Sequence, residues 1–283
     1  MRITKDRFGA LSVLAVFIVV GCDNSSRVTI GGATSNTTGG AVAGRTPRQV
    51  VDDYLKDLSA GKATPARLTP GFKKLITRPT TDDDKKLGYS DEQAQSFLAR
   101  FDKANWVVAD VAEFGPYIVA HGRAELPGTK SAFAIRLMQK GDDFHADWIQ
   151  LTERTGVPGP YPRDPDLAAA QDSVRNMLDL LIDRQVRTAQ ALMLPEWRRA
   201  ISPLPSEVKP KDGVDYEPGF LDQTLRAWTG GAVSYTITDA KLAAKENATF
   251  VVELEVDGKK VPHSVKTKKD VNSSHWLVEA FDK

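Results

Sequence analysis

The same order of elements occurs twice along this chain, and that repetition constrains the fold more than any single motif does. The first copy opens at Thr46-Pro47-Arg48-Gln49, with Thr as N-cap, Pro at the first helical position and Gln placed to close a capping box. Val50, Val51, Tyr54, Leu55 and Leu58 then share one helical face before Gly61 ends the run. The second copy opens at Asp164-Pro165; after a longer lead-in, Val174, Met177, Leu178, Leu181 and Ile182 form the matching stripe. Leu68-Thr69-Pro70-Gly71-Phe72-Lys73-Lys74-Leu75-Ile76 corresponds to Met193-Leu194-Pro195-Glu196-Trp197-Arg198-Arg199-Ala200-Ile201. Both read as short second helices with a buried aromatic. A polar insertion follows in each copy, Thr80 to Lys86 and Ser202 to Glu217. Third helices follow through Phe97, Leu98 and Phe101 and through Phe220, Leu221, Leu225 and Trp228.

Both copies then switch to an alternation of period two, which marks half-buried strands. In the first, the strands are Trp106 to Val111, Tyr117 to Leu126, the stretch in which Phe133, Ile135 and Leu137 alternate with Ala132, Ala134 and Arg136, and Phe144 to Leu151. In the second they are Val233 to Thr238, Ala248 to Val256, Lys260 to Lys268 and Trp276 to Phe281. Asp147-Trp148-Ile149 and His275-Trp276-Leu277 are read as matching places, so that one Trp anchors each sheet. The expected fold is therefore α+β: two tandem units, each with N-terminal helices packed on a curved antiparallel sheet of about four strands. The opening Thr-Pro-Arg-Gln-Val-Val-Asp-Asp-Tyr-Leu, the element order and the Trp-bearing last strand resemble the nuclear transport factor two-like superfamily, most of all its small bacterial lipoprotein members. A cystatin-like or other α+β sheet is the alternative. The units are expected over 46–155 and 164–283. A Pro/Gly linker over 156–163, Gly156-Val157-Pro158-Gly159-Pro160-Tyr161-Pro162 at its centre, separates them.

The N-terminus carries an address. Arg2, Lys5 and Arg7 precede an apolar stretch from Phe8 to Val20, the layout of a secretory signal over 1–21. The stretch is short for a membrane span, which needs about 20 apolar residues. Val19-Val20-Gly21-Cys22 resembles the lipobox of bacterial lipoproteins. That resemblance implies signal-peptidase recognition through Val19, Val20 and Gly21 and acylation of Cys22, which becomes the first mature residue. Two or three acyl chains suffice for stable anchoring, at about 0.8 kcal/mol per buried CH₂. Asp23 resembles an inner-membrane retention signal. Residues 22–45, rich in Gly, Ser, Thr and Asn, read as a flexible tether. The expected location is thus the bacterial cell envelope, lipid-anchored and extracytoplasmic.

Cys22 is the single cysteine, so its acylation would leave no thiol for a disulfide, a metal or catalysis. Lys and Arg number 38 against 37 Asp and Glu, a balance that argues against nucleic acid as a partner. Lys259, Lys260, Lys266, Lys268 and Lys269 cluster in one hairpin, which reads as a solvated face or as a contact with lipid head groups or an anionic polymer.

Catalytic signatures are weak. The superfamily resemblance implies a cone-shaped pocket that in some members holds an Asp and a His for isomerase, dehydratase or epoxide hydrolase chemistry. Asp110, in a strand pattern, and His263, in phase with Val261 and Val265, are the pocket candidates. Asp53 and Asp57 lie off the apolar stripe of the first helix and read as solvated. His121, His145, His263 and His275 have no metal-ligand spacing, and no cofactor or metal is expected. Trp106, Trp148, Trp197, Trp228 and Trp276 read as core, or as the lining of an apolar ligand cavity or of the contact between units. The leading expectation is a non-catalytic binding or interaction module whose partner is an envelope protein or apolar small molecule. The alternatives are a pocket enzyme of isomerase or dehydratase type and a structural partner in envelope assembly.

Overall fold

The computed structural model describes residues 44–77, 90–153, 161–210, 214–271 and 275–282. All of these belong to one compact unit. Val19, Val20, Gly21 and Cys22, read above as the lipobox, lie outside the described residues.

Helices α1 (Pro47–Ser59), α2 (Pro70–Ile76) and α3 (Asp91–Ala99) precede strands β1 (Asn105–Phe114), β2 (Tyr117–Leu126), β3 (Thr129–Lys140) and β4 (Asp143–Thr152). The second copy contains α4 (Pro165–Ile182), α5 (Val186–Ala189), α6 (Pro195–Ile201) and α7 (Pro218–Thr229). Strands β5 (Ser234–Ala244), β6 (Asn247–Val256), β7 (Lys259–Lys269) and β8 (Trp276–Asp282) follow. The strands form two separate antiparallel meanders, β1-β2-β3-β4 and β5-β6-β7-β8, so the fold is α+β in two units. The local signals act as read. Thr46 N donates to Gln49 Oε1 at 2.8 Å while Gln49 N donates to Thr46 Oγ1 at 3.3 Å, closing the capping box of α1. Leu167 N donates to Asp164 Oδ1 at 2.9 Å, starting α4.

Strand register aligns the two copies and corrects one expectation. In the first sheet the pairing shifts between Arg136 and Leu137, leaving Asp147 as the bulged residue between Ala146 and Trp148. In the second it shifts between Lys266 and Thr267, leaving Glu279 between Val278 and Ala280. Parallel bridges Leu68–Ala146 and Met193–Val278 give the same alignment. Asp147 therefore corresponds to Glu279, and Arg136 to Lys266. Trp148 lies two residues beyond Ala146, whereas Trp276 lies two before Val278, so the two tryptophans are not equivalent. Matching them by sequence misplaces the last strand by four residues, because both patterns offer a buried Trp and only the bulge fixes the register.

The units are stacked through α4. This helix touches β5 to β8 of its own sheet and also β1 and β4 of the first. Its buried residues run right around the axis, from Ala168, Ala169 and Ala170 through Asp172, Arg175 and Asn176 to Leu180 and Leu181. Residues three apart on an undisturbed strand point to opposite faces. Phe133 of β3 faces α1 and α3 through Trp106 and Phe101, and Arg136 faces α4 through Asp172. The layers run helices, sheet, α4, sheet. The first sheet is thereby covered on both faces, and the second keeps one face toward solvent, where Thr236, Lys260, Lys266 and Lys268 are exposed. Gly122 on β2 admits no side chain: a Cβ there would stand 2.1 Å from the Val107 carbonyl oxygen and 2.7 Å from the Phe133 ring.

Candidate functional site

The space between each sheet and its own helices is where a pocket would lie, and in the first unit aromatic rings fill it. Trp148 packs on Phe72 at 5.5 Å, Phe72 on Phe97 at 5.7 Å and Phe97 on Phe101 at 5.4 Å. Phe101 then meets Trp106 at 5.9 Å, and Trp106 meets Phe133 at 5.0 Å. The polar atoms of both indoles are answered internally, Trp106 Nε1 by Ser59 Oγ at 2.7 Å and Trp148 Nε1 by Gln150 Oε1 at 2.8 Å. In the second unit Trp197 packs edge-on against Phe281 at 4.8 Å, and Phe281 stacks on Trp228 at 3.6 Å. Trp228 packs in turn on His263 at 5.1 Å.

The polar chemistry of the molecule concentrates at the seam between the units. Arg136, 2 % exposed, donates from Nε to Asp147 Oδ2 at 2.8 Å and from Nη1 to Asp172 Oδ2 at 2.9 Å and Ser173 Oγ at 3.3 Å. Asp147 also accepts from Thr69 Oγ1 at 2.9 Å, and His275 Nε2 lies 2.8 Å from the same oxygen. Asp172 accepts further from Tyr161 Oη at 3.0 Å and Asn176 Nδ2 at 3.0 Å. Elements of both copies thus converge on one guanidinium. Burial by itself would raise the Asp147 pKa, but His275 and Arg136 outweigh it and hold the carboxyl below the ordinary range. Burial would likewise discharge Arg136, yet the negative charges of Asp147 and Asp172 make it hold its proton more firmly than usual. Such a network adds little net stability over an apolar one, but it penalises any packing that separates its members.

Beside it lies a half-buried carboxyl. Asp179 on α4 accepts from Tyr235 Oη at 2.9 Å. Burial raises its pKa to about 7, against the opposing effects of the Tyr235 hydrogen bond and the Arg175 charge. Burial also lowers the His121 pKa, with Asp172 opposing. Arg175 lies over the Tyr161 ring at 5.0 Å.

The sequence candidates fare unequally. Asp110 is exposed on edge strand β1, paired across the strands with the buried His121. His263 is buried and inward, where it packs on the Trp228 indole. Asp53 is exposed, and Asp57 pairs with Arg67 at 2.6 Å. Of the clustered lysines, Lys260 pairs with Glu253 at 3.1 Å, Lys266 with Asp282 at 2.8 Å and Lys269 with Asp166 at 3.0 Å, which favours the solvated reading. Tyr161, expected in the linker, is anchored on Phe114 and Asp172. Among the described residues no group of three or more His, Cys, Asp or Glu is placed to hold a metal ion, and no helix is long and apolar enough to cross a membrane. Missing from the sequence candidates were Arg136, Asp147, Asp172 and His275. A signal for them existed in Tyr117, Val119, Ala132 and Ala134, which make the outer face of the first sheet too apolar to be solvated.

Comparison with protein families and with curated proteins gives no match. Among solved structures, the chain is similar to an Ntf2-like protein involved in plasmid conjugation, at 11 % identity and a TM-score of 0.25, over 77 % of this chain and 94 % of that one. It is also similar to a cystatin-like protein from Ruminococcus gnavus ATCC 29149, at 9 % identity and a TM-score of 0.22, over 83 % of this chain and 89 % of that one. Superpositions this loose carry no functional argument, and the fold rests on the strand pairing itself.

Proposed function

We propose that this protein is a lipid-anchored, extracytoplasmic interaction module of the bacterial envelope, tethered through acylated Cys22 and performing no turnover. The observation that carries the non-catalytic part is the filled interior of the first unit: the rings from Trp148 to Phe133 occupy the space a substrate would need there. The buried charges support it too, because Arg136, Asp147 and Asp172 bind one another. A general acid or base needs reach to a substrate atom, and these groups have none. The anchor reading is supported by the basic, apolar and Val19-Val20-Gly21-Cys22 sequence of the N-terminus.

The test expresses the protein in a bacterium with labelled fatty acid and determines the mature N-terminus by mass spectrometry. The expected result is a chain beginning at Cys22 and bearing the label, and an unlabelled, unprocessed Cys22→Ala variant. A Cys22→Ala variant that is processed normally and still fractionates with membranes would overturn the anchor.

A further inference from the structure

In the first unit, the corner between the start of α2 and the bulge of β4 is occupied by the second unit. His275, 3 % exposed, is seated there with Nε2 2.8 Å from Asp147 Oδ1, the oxygen that Thr69 at the N-cap of α2 also binds. The register alignment carries this corner onto the second unit residue by residue: Asp147 onto Glu279, Thr69 onto Leu194, Phe72 onto Trp197 and Met138 onto Lys268. Those second-unit residues line an open groove of about 400 Å³, together with Glu196 and Ala200.

The same corner is therefore filled once and open once in one chain. Its floor, Leu194, Trp197 and Ala200, is apolar; Glu279, Asp270 and Lys268 stand along it, and Glu196, also there, pairs with Arg199 at 3.4 Å. Lys269, also at the groove, is engaged by Asp166 at 3.0 Å. We infer that this groove is a docking site for a protein segment presenting a cationic side chain next to an apolar one, the cation meeting Glu279 as His275 meets Asp147. The inference rests on the interaction-module reading but not on the anchor.

The test uses the full-length protein in detergent micelles and fluorescein-labelled, end-capped peptides with an Arg-Leu or a Glu-Leu core, read by anisotropy. The Arg-Leu peptide is expected to bind, and the Glu-Leu peptide to bind at least about tenfold more weakly, as for loss of one charge-assisted hydrogen bond. Glu279→Gln should weaken Arg-Leu binding by about the same factor. Ala200→Trp, at an exposed position, should block the groove without changing charge. Equal binding of the two peptides, wild-type binding by both variants, or no binding of Arg-Leu each overturns the proposal. In the last case the loss of this one ligand class leaves the module reading standing, whereas turnover of a small molecule would remove that reading itself.

Discussion

Replacing Arg136 with Met tests the seam most sharply, because it keeps bulk and removes the one cation that both carboxylates share. Asp147 and Asp172 are 3 % and 1 % exposed, so neither can turn to water when the guanidinium is gone. Asp147 keeps Thr69 and His275; Asp172 keeps Tyr161 and Asn176. Breaking a buried pair from one side costs about 3–5 kcal/mol. At about 2–4 °C per kcal/mol for a body of this size, the melting temperature should fall by about 6–20 °C. The sign with pH follows from the shifts. Asp147 is held low in the folded state, so its contribution is present above the unfolded value near 4 and is lost as pH falls through the folded one. Without Arg136, Asp147 binds a proton more readily, so the deficit should be largest at neutral pH and narrow toward pH ~4. Urea denaturation at several pH values measures both effects, and Arg136→Met/Asp172→Leu should recover part of the loss. A deficit under about 1 kcal/mol, the size of an exposed pair, would refute the buried-network reasoning.

Three further outcomes are expected. Asp179 is raised from 3.8 to about 7, so ionising it opposes folding increasingly as pH rises through that window; Asp179→Asn should gain stability over wild type between pH ~5 and ~8 by a few kcal/mol at most, read from urea midpoints. Gly122→Ala drives a Cβ into the Val107 carbonyl and should cost about 3 kcal/mol or more, visible as a lowered urea midpoint at unchanged slope. Tyr161→Phe removes one donor from Asp172 and should cost about 1–3 kcal/mol in the same assay, although this residue lies in the stretch that composition marks as linker.

Much of the fold was legible because local signals and periodicity agree. The capping box at Thr46 and the alternation around Phe133 specify the same elements that packing then uses. What resisted reading was long-range. A strand alternation shows that Arg136 and Leu137 face opposite ways, but not that another unit's helix covers the Arg136 face. His275 likewise reads as an isolated strand histidine, since its partner Asp147 lies 128 residues earlier, 275 less 147, on the other sheet. The twin tryptophans misled for a related reason: residue identity suggests equivalence, whereas the bulges at Asp147 and Glu279 set it.

The central claim is that α4 and the Arg136 cluster make the two repeats one cooperative body. Differential scanning calorimetry of the whole protein tests this directly. One transition with equal calorimetric and van't Hoff enthalpies is predicted. Two resolved transitions, of which Gly122→Ala lowers only the one belonging to the first unit, would contradict it.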